Sequence, residues 1–517
     1  MNESSASANS KRIAKNSLLL YVRMLLMMSV TLYTSRVVLN ALGVEDYGIY
    51  NVVGGVVAMF SIVSGSLTTS ISRFITFELG KNRSDIHKLN ITFSTAVTIQ
   101  ILLSLIILLL VEPFGIWFLN NKMVIPEGRL LAANIVFQFS VATFLLNLIS
   151  VPYNASIIAH EKMSAFAYIS IIEAVGKLLI AYLITISPID KLVFYAILMC
   201  AVAVIIRLIY GYYCKQHFEE CRYKFILQKD LLKDMFGFAG WNFIGTSSFI
   251  LMTQGVNILI NMFFGVLLNT ARGIATQVDS ALMMFANNFT TAINPQIIKS
   301  YAAKDWNYMH KLVCWGSKYS FFLLWIFALP ILLETEMVLR LWLKNVPDYS
   351  VIFLRYTIAI SLLSVISNTL VTSMQATGNI KKYQIIVGGL GMTIFPVVYI
   401  AYKIGLPVEV AYYVHFMIFV LQLITRLVLL RKMINLPVLF FLKNAIFRDF
   451  YVMIVSAVIP FVVCTYIEDS LLRMLYVVPL CILITLSTIY FVGVSAEERK
   501  VINAYMLKFV QKIIPNV

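Results

Sequence analysis

Charge is scarce in this chain of 517 residues: 13% are Asp, Glu, Lys or Arg, while 60% are hydrophobic. No ordinary soluble domain has that composition. Catalytic signatures are absent too. There is no GxxxxGKS/T phosphate loop, no HExxH, and no cluster of His, Cys or carboxylates at metal-ligand spacing, which leaves ATP hydrolysis, metalloenzyme chemistry and any bound metal or cofactor unsupported. No loop is long enough to carry the paired acids of a membrane glycosyltransferase, so the chain is not expected to be an enzyme. The six cysteines (Cys200, Cys214, Cys221, Cys314, Cys464 and Cys481) fall mostly within apolar runs, and Cys214 and Cys221, flanking a basic loop, read as reduced thiols. The opening MNESSASANS lacks the basic-then-apolar order of a cleavable signal, so the first apolar run reads as a retained span.

Long apolar runs are what the chain does have, with a mean hydropathy of +0.85. Runs of roughly 18 to 25 residues suit helices crossing a bilayer core. Spans are expected at roughly 16–41, 47–72, 89–111, 129–151, 164–187, 191–213, 236–264, 268–298, 312–334, 351–375, 384–403, 408–430, 450–467 and 474–495. The fold class is therefore an all-α polytopic membrane protein with about fourteen spanning helices.

The 41 basic residues and net charge of +16 follow the loops. They crowd after every even-numbered span, as at Arg73, Lys81, Arg83 and Lys88, or Lys215, Arg222, Lys224, Lys229 and Lys233. By the positive-inside rule both termini are cytoplasmic, and nucleic acid is not a partner. Two basic-apolar stretches, 436–449 and 500–514, read either as helices lying along the headgroups or as simple connectors.

The segment Tyr47–Phe60 aligns with Arg272–Phe285, matching Gly48 to Gly273, Ile49 to Ile274, Val53 to Val278, Met59 to Met284 and Phe60 to Phe285. The second span then corresponds to the eighth. An even offset of six spans gives two pseudo-symmetric six-helix lobes of like orientation, with the substrate expected between them. The expected division is 1–214 for the N-terminal lobe, 215–235 for a cytoplasmic linker, and 236–430 for the C-terminal lobe. Residues 431–517 would hold the interfacial segment, two appended helices and a cytoplasmic tail.

Charges inside the spans need a reason, because each basic residue costs about 2.5–3.5 kcal/mol at a helix centre. Arg207, Arg355 and Arg426 lie near span ends and are expected to snorkel. Glu173 and Lys177, four residues apart, either neutralise one another or line a cavity. Arg23, Arg36 and Arg272 are harder to dismiss. Arg272, Thr276, Asp279, Ser280, Asn287, Thr291 and Asn294 draw one polar stripe down the eighth span, and Gln254, Asn257 and Asn261 do likewise in the seventh. For the isolated amides, interhelical glue is as good a reading. A cavity bearing Arg23, Arg36, Lys177 and Arg272 keeps excess positive charge after Glu173 and Asp279 are subtracted, and suits a phosphate or pyrophosphate.

Four stretches look familiar: LGVEDYGIYN (42–51), the SRFITFELGKN that ends the second span, PYNASIIAHEKM (152–163) and NTARGIATQV (269–278). Together they resemble the Wzx-like polysaccharide-biosynthesis flippases of the multidrug/oligosaccharidyl-lipid/polysaccharide exporter (MOP) superfamily. The resemblance covers essentially the whole chain and rests on the order and spacing of soft motifs. It implies a MATE-like fold of two lobes plus two C-terminal helices in the bacterial inner membrane. It implies translocation of undecaprenyl-pyrophosphate-linked oligosaccharides for O-antigen, capsule or exopolysaccharide assembly, with membrane lipid and other assembly proteins as partners. Candidate substrate contacts are Arg23, Arg36, Lys177, Arg272, Gln254, Asn257 and Asn287, with Glu173 and Asp279 as ion-coupling or charge-pairing groups. The alternatives are an ion-coupled multidrug exporter, which favours carboxylates in an apolar pocket over arginines, and a lipid II flippase of the same superfamily.

Overall fold

A computed structural model describes residues 16–30, 33–34, 37–38, 40–43, 46, 49–50, 53, 61–81, 85–121, 125, 128–226, 228–264, 266–343, 346–500 and 503. Every regular element among them is helical. The main helices are α1 (Asn16–Val30), α2 (Ser61–Leu79), α3 (Ile86–Asn121), α4 (Leu130–Ala159), α5 (Met163–Ile186), α6 (Lys191–His217) and α7 (Lys229–Phe264). They continue with α8 (Val266–Ala302), α9 (Trp306–Leu333), α10 (Ser350–Thr377), α11 (Lys381–Lys403), α12 (Val410–Ile434), α13 (Val438–Tyr466) and α14 (Leu471–Gly493).

Among the described residues, eleven of these, α3 to α7 and α9 to α14, are long and apolar enough to cross a membrane. The 37-residue α8 is more polar, because it carries the stripe that begins at Arg272. The spans expected at 16–41 and 47–72 run partly outside the described residues. So do Arg36, most of the first repeat copy and the basic stretch 500–514. Residues 436–449 do not form a separate interfacial helix: from Val438 onward they are the first turns of α13 itself.

Helix ends follow local chemistry. Asp190 caps α6, its Oδ1 accepting from the N–H groups of Leu192 and Val193 at 3.1 Å each, and Ser470 caps α14 by accepting from Arg473 N at 3.1 Å. Left-handed residues close α10 at Gly378 (φ +76°), α12 at Asn435 (φ +51°) and α4 at Glu161 (φ +59°). Prolines stand inside α3, α4, α8, α9, α13 and α14. Membrane helices tolerate them because neighbouring groups satisfy the freed carbonyls.

The chain forms two compact units. The first comprises 1–247, 291–306 and 375–385; the second comprises 248–290, 307–374 and 386–517. In the first, α4 packs on α2, α3 and α6 around fully buried Ile71, Ile75, Phe93, Ile99, Phe137 and Ile157. The hydroxyl side chains of Thr92, Ser94, Thr95, Thr98 and Ser104 on α3 are buried there too, small enough to let helices approach, and so is the longer amide of Gln100. At one end Arg129 forks onto Asp46 of the LGVEDYGIYN motif, with Nε–Oδ1 at 2.8 Å, and onto Asp190 at 2.5 Å. Burial pushes the Asp190 carboxyl up, but its bonds to Arg129 and to the backbone of α6 outweigh that and hold it below the ordinary range.

In the second unit α10 and α11 pack on α12, and α13 pairs with α14. Three polar contacts tie α9 to that last pair and the turn after it: Lys318 Nζ to both Glu498 oxygens at 2.7 and 2.9 Å, Trp325 Nε1 to Ser456 Oγ at 2.8 Å, and Glu334 to Arg473. The helices expected as an appendix are thus fastened along the length of α9. All six cysteines are free thiols.

Candidate functional site: two arginine clusters

Arg272 lies in the second unit, near the start of α8, and is only 8% exposed. Its Nη2 donates to Thr253 O at 3.2 Å, and its guanidinium carbon lies 6.0 Å from the centre of the Tyr412 ring. Thr253 sits in a π turn, Leu251–Gly255, which interrupts the α pattern of α7. Such bulges recur at functional sites. Tyr402, Tyr412 and His415, from α11 and α12, complete the electrostatic surroundings of Arg272. No carboxylate among the described residues forms an ion pair with it.

Asp279, seven residues along α8, accepts a hydrogen bond from Ser361 of α10, while its Oδ1 is buried without a partner among the described residues. Asn257 and Asn287 lie on α7 and α8 of the same unit, and both have polar partners. Gln254 belongs to the π turn of α7. Sequence reading missed Tyr402, Tyr412, His415 and Ser361. A signal existed for α12: Tyr412, His415 and Gln422 recur at intervals of three and seven, and Gln422 is buried, its Nε2 donating to Val387 O at 2.9 Å.

Arg23, Lys177 and Glu173 lie in the first unit. The Arg23 guanidinium stacks 4.4 Å from the Phe166 ring centre, with Tyr210 and Glu173 as electrostatic neighbours, and its Nε is buried without a partner among the described residues. Glu173 and Lys177 form an ion pair at 2.6 Å, which agrees with mutual neutralisation. The arginines expected to snorkel have closer partners. Arg207 lies 4.0 Å over the Tyr153 ring, and Arg355 Nε donates to Thr335 Oγ1 at 3.1 Å.

Each unit therefore holds an arginine against an aromatic face, and in the first unit Glu173 is a carboxylate neighbour of that arginine. A desolvated cation–π contact, worth about 2 kcal/mol, offsets part of the cost of placing the charge there. It leaves N–H donors for an anion, and guanidinium stays charged where lysine would lose its proton.

Helices of this length and composition, arranged in this way, define a multi-pass membrane protein with a MATE-like fold. The chain is similar to MATE in the bent conformation, with a TM-score of 0.72 and 13% identity over 83% of this chain and 96% of that one. It is also similar to a MOP superfamily transporter from Pyrococcus furiosus described by the reverse polarity of its binding pocket, with a TM-score of 0.66, 13% identity and coverage of 82% and 96%. Residues 13–300, more than half of the chain, match the family described as Polysaccharide biosynthesis protein, and the chain belongs to that family. A curated relative, the uncharacterized membrane protein EpsK of Bacillus subtilis (strain 168), is 20% identical over 297 residues. That match spans 56% of this chain and 58% of EpsK.

Proposed function

We propose that this transporter moves undecaprenyl-pyrophosphate-linked oligosaccharide units across the bacterial inner membrane. Two lobes, 1–214 and 236–430 in outline, would rock about a cationic cavity so that the headgroup meets one side of the membrane and then the other. The observation that carries this reading is Arg272, a buried guanidinium with a single carbonyl partner, an aromatic wall and no ion-paired carboxylate among the described residues. Arg272, Arg23 and Arg36 are proposed to take the pyrophosphate. Lys177, Gln254, Asn257 and Asn287 are proposed to line the path of the sugars. Asp279 and Glu173 are proposed to couple an ion, and Asp279, with one oxygen unpartnered among the described residues, is the better placed of the two. The polysaccharide family and the MOP fold support the substrate class, and other polysaccharide assembly proteins are proposed partners.

The test is leaflet transfer of a fluorescent undecaprenyl-pyrophosphate oligosaccharide in proteoliposomes. Loss of a charged hydrogen bond to the headgroup predicts a drop of about ten- to a hundredfold for Arg272→Ala, with partial recovery in Arg272→Lys. Equal transfer by Arg272→Ala and Arg23→Ala would remove the headgroup assignment. Absence of wild-type transfer under every imposed ion gradient would favour a drug exporter.

A further inference from the structure

Two of the familiar motifs, SRFITFELGKN and PYNASIIAHEKM, take no part in the arginine clusters. In the first unit they converge on the ends of α8 and α10. The PYNASIIAHEKM stretch contains Glu161, the left-handed residue that ends α4. An L side chain is strained there, and glycine would be the unstrained choice. The Glu161 side chain is nevertheless fully enclosed. Its carboxylate accepts from Gln296 Nε2 at 2.6 Å and Lys299 Nζ at 2.7 Å, both on α8, and its carbonyl accepts from Asn16 Nδ2 of α1 at 3.3 Å.

The SRFITFELGKN stretch grips the same end of α8 and the end of α10. A Cβ on Gly80 would stand 2.5 Å from Lys299 Cα, so α2 ends directly against the α8 backbone. Seven residues earlier, Arg73 is 7% exposed, lies 4.6 Å from the ring centres of both Phe74 and Phe77, and donates from Nη2 to Ala376 O at 3.1 Å. Gly378, at φ +76°, admits that guanidinium: a Cβ there would lie 2.5 Å from Nη2.

The two helices held this way are the two that carry Asp279 and Ser361 further along, and α8 also carries Arg272. We infer that Glu161 and Arg73 are gating residues for transport: together they latch the basic, cytoplasmic face shut, and each turnover must release Lys299 and Gln296 from Glu161 and Ala376 from Arg73. Static packing would not need a charged residue at a strained backbone position. A polar contact at a helix end, by contrast, can be broken and remade without unpacking a core. This rests on the alternating-access reading above.

The test combines a measurement that needs no substrate with one that does. Ser300, buried beside Lys299, is replaced by cysteine in the full-length chain, and labelling from the basic face by a membrane-impermeant maleimide is read above the background of the native cysteines. Glu161→Gln and Arg73→Gln should each raise labelling severalfold. The charge-swapped pair Glu161→Lys with Lys299→Glu should return it toward background. Glu334→Gln, which loosens a buried pair far along the sequence, should leave it unchanged. Unchanged labelling in Glu161→Gln, or an equal rise in Glu334→Gln, overturns the latch.

In proteoliposomes, bridging Glu161→Cys to Lys299→Cys with a reducible bifunctional thiol reagent should stop transfer of the fluorescent lipid-linked oligosaccharide, and reductant should restore it. Undiminished transfer by the bridged protein overturns the latch while the flippase reading stands. A wild type that moves no such lipid removes the substrate reading instead, and labelling then decides the latch.

Discussion

Glu334 and Arg473, 139 residues apart, meet in a fork: Arg473 Nε and Nη2 donate to the two oxygens of Glu334 at 2.8 and 2.9 Å. Glu334 ends α9 and is 1% exposed; Arg473 opens α14, also donates to Ile467 O at 3.0 Å, and pairs with Asp469. The fork holds the α13–α14 turn against the end of α9. Removing one partner strands a buried charge, so Arg473→Ala should cost about 3 kcal/mol in an unfolding measurement in detergent. The double variant Glu334→Leu/Arg473→Leu should recover most of that loss, because an apolar pair leaves no charge unpaired.

Midway along α9, Lys318 donates to Glu498, which also accepts from Ser495 N at 2.7 Å. Burial pushes its carboxyl up, but Lys318 and these bonds outweigh it and set it below the ordinary value of about 4.3. A depressed carboxylate contributes stability that is complete above its unfolded value and lost as pH falls through the folded one. Amide exchange of residues 494–500 should therefore stay slow down to about pH 5 and quicken only in stronger acid. Glu498→Gln should exchange fast throughout, without the acid step.

Arg129 joins Asp46 and Asp190, which belong to different connections of the first unit. Lysine has the charge but no planar fork for two carboxylates. Arg129→Lys should lower stability by about 1 kcal/mol, and raising the salt concentration should shrink the difference between the two proteins.

Gly378 should not tolerate a side chain, because its φ of +76° and the nearness of Arg73 both oppose one. Gly378→Ala should destabilise by about 1–3 kcal/mol. Combined with Arg73→Ala the losses should be less than additive, since removing the guanidinium vacates the space the new methyl needs.

How much of this was legible beforehand varied with the range of the interaction. Expected spans 164–187, 191–213 and 384–403 fall within a few residues of α5, α6 and α11, because hydropathy and helix capping are local. Where α13 begins was misjudged, since the pattern at 436–449 suits an interfacial helix as well as the first turns of a span. The Glu173–Lys177 pair was visible, because helical spacing of four dictates it. The partners of Arg207 and Arg23 were not. Tyr153 and Phe166 lie on other helices, and no spacing within one helix points to them.

The sequence by itself determined that the chain is helical, crosses a membrane many times and carries an excess of arginine within its spans, because composition and period record the demands of a medium without water. Only the tertiary structure decided that Arg272 shares its surroundings with Tyr412 and His415, that Glu161 holds Gln296 and Lys299, and that α9 fastens the last two helices. Each of these joins residues more than a hundred positions apart, and what brings them together is the low dielectric, which leaves a buried charge no partner except another part of the chain.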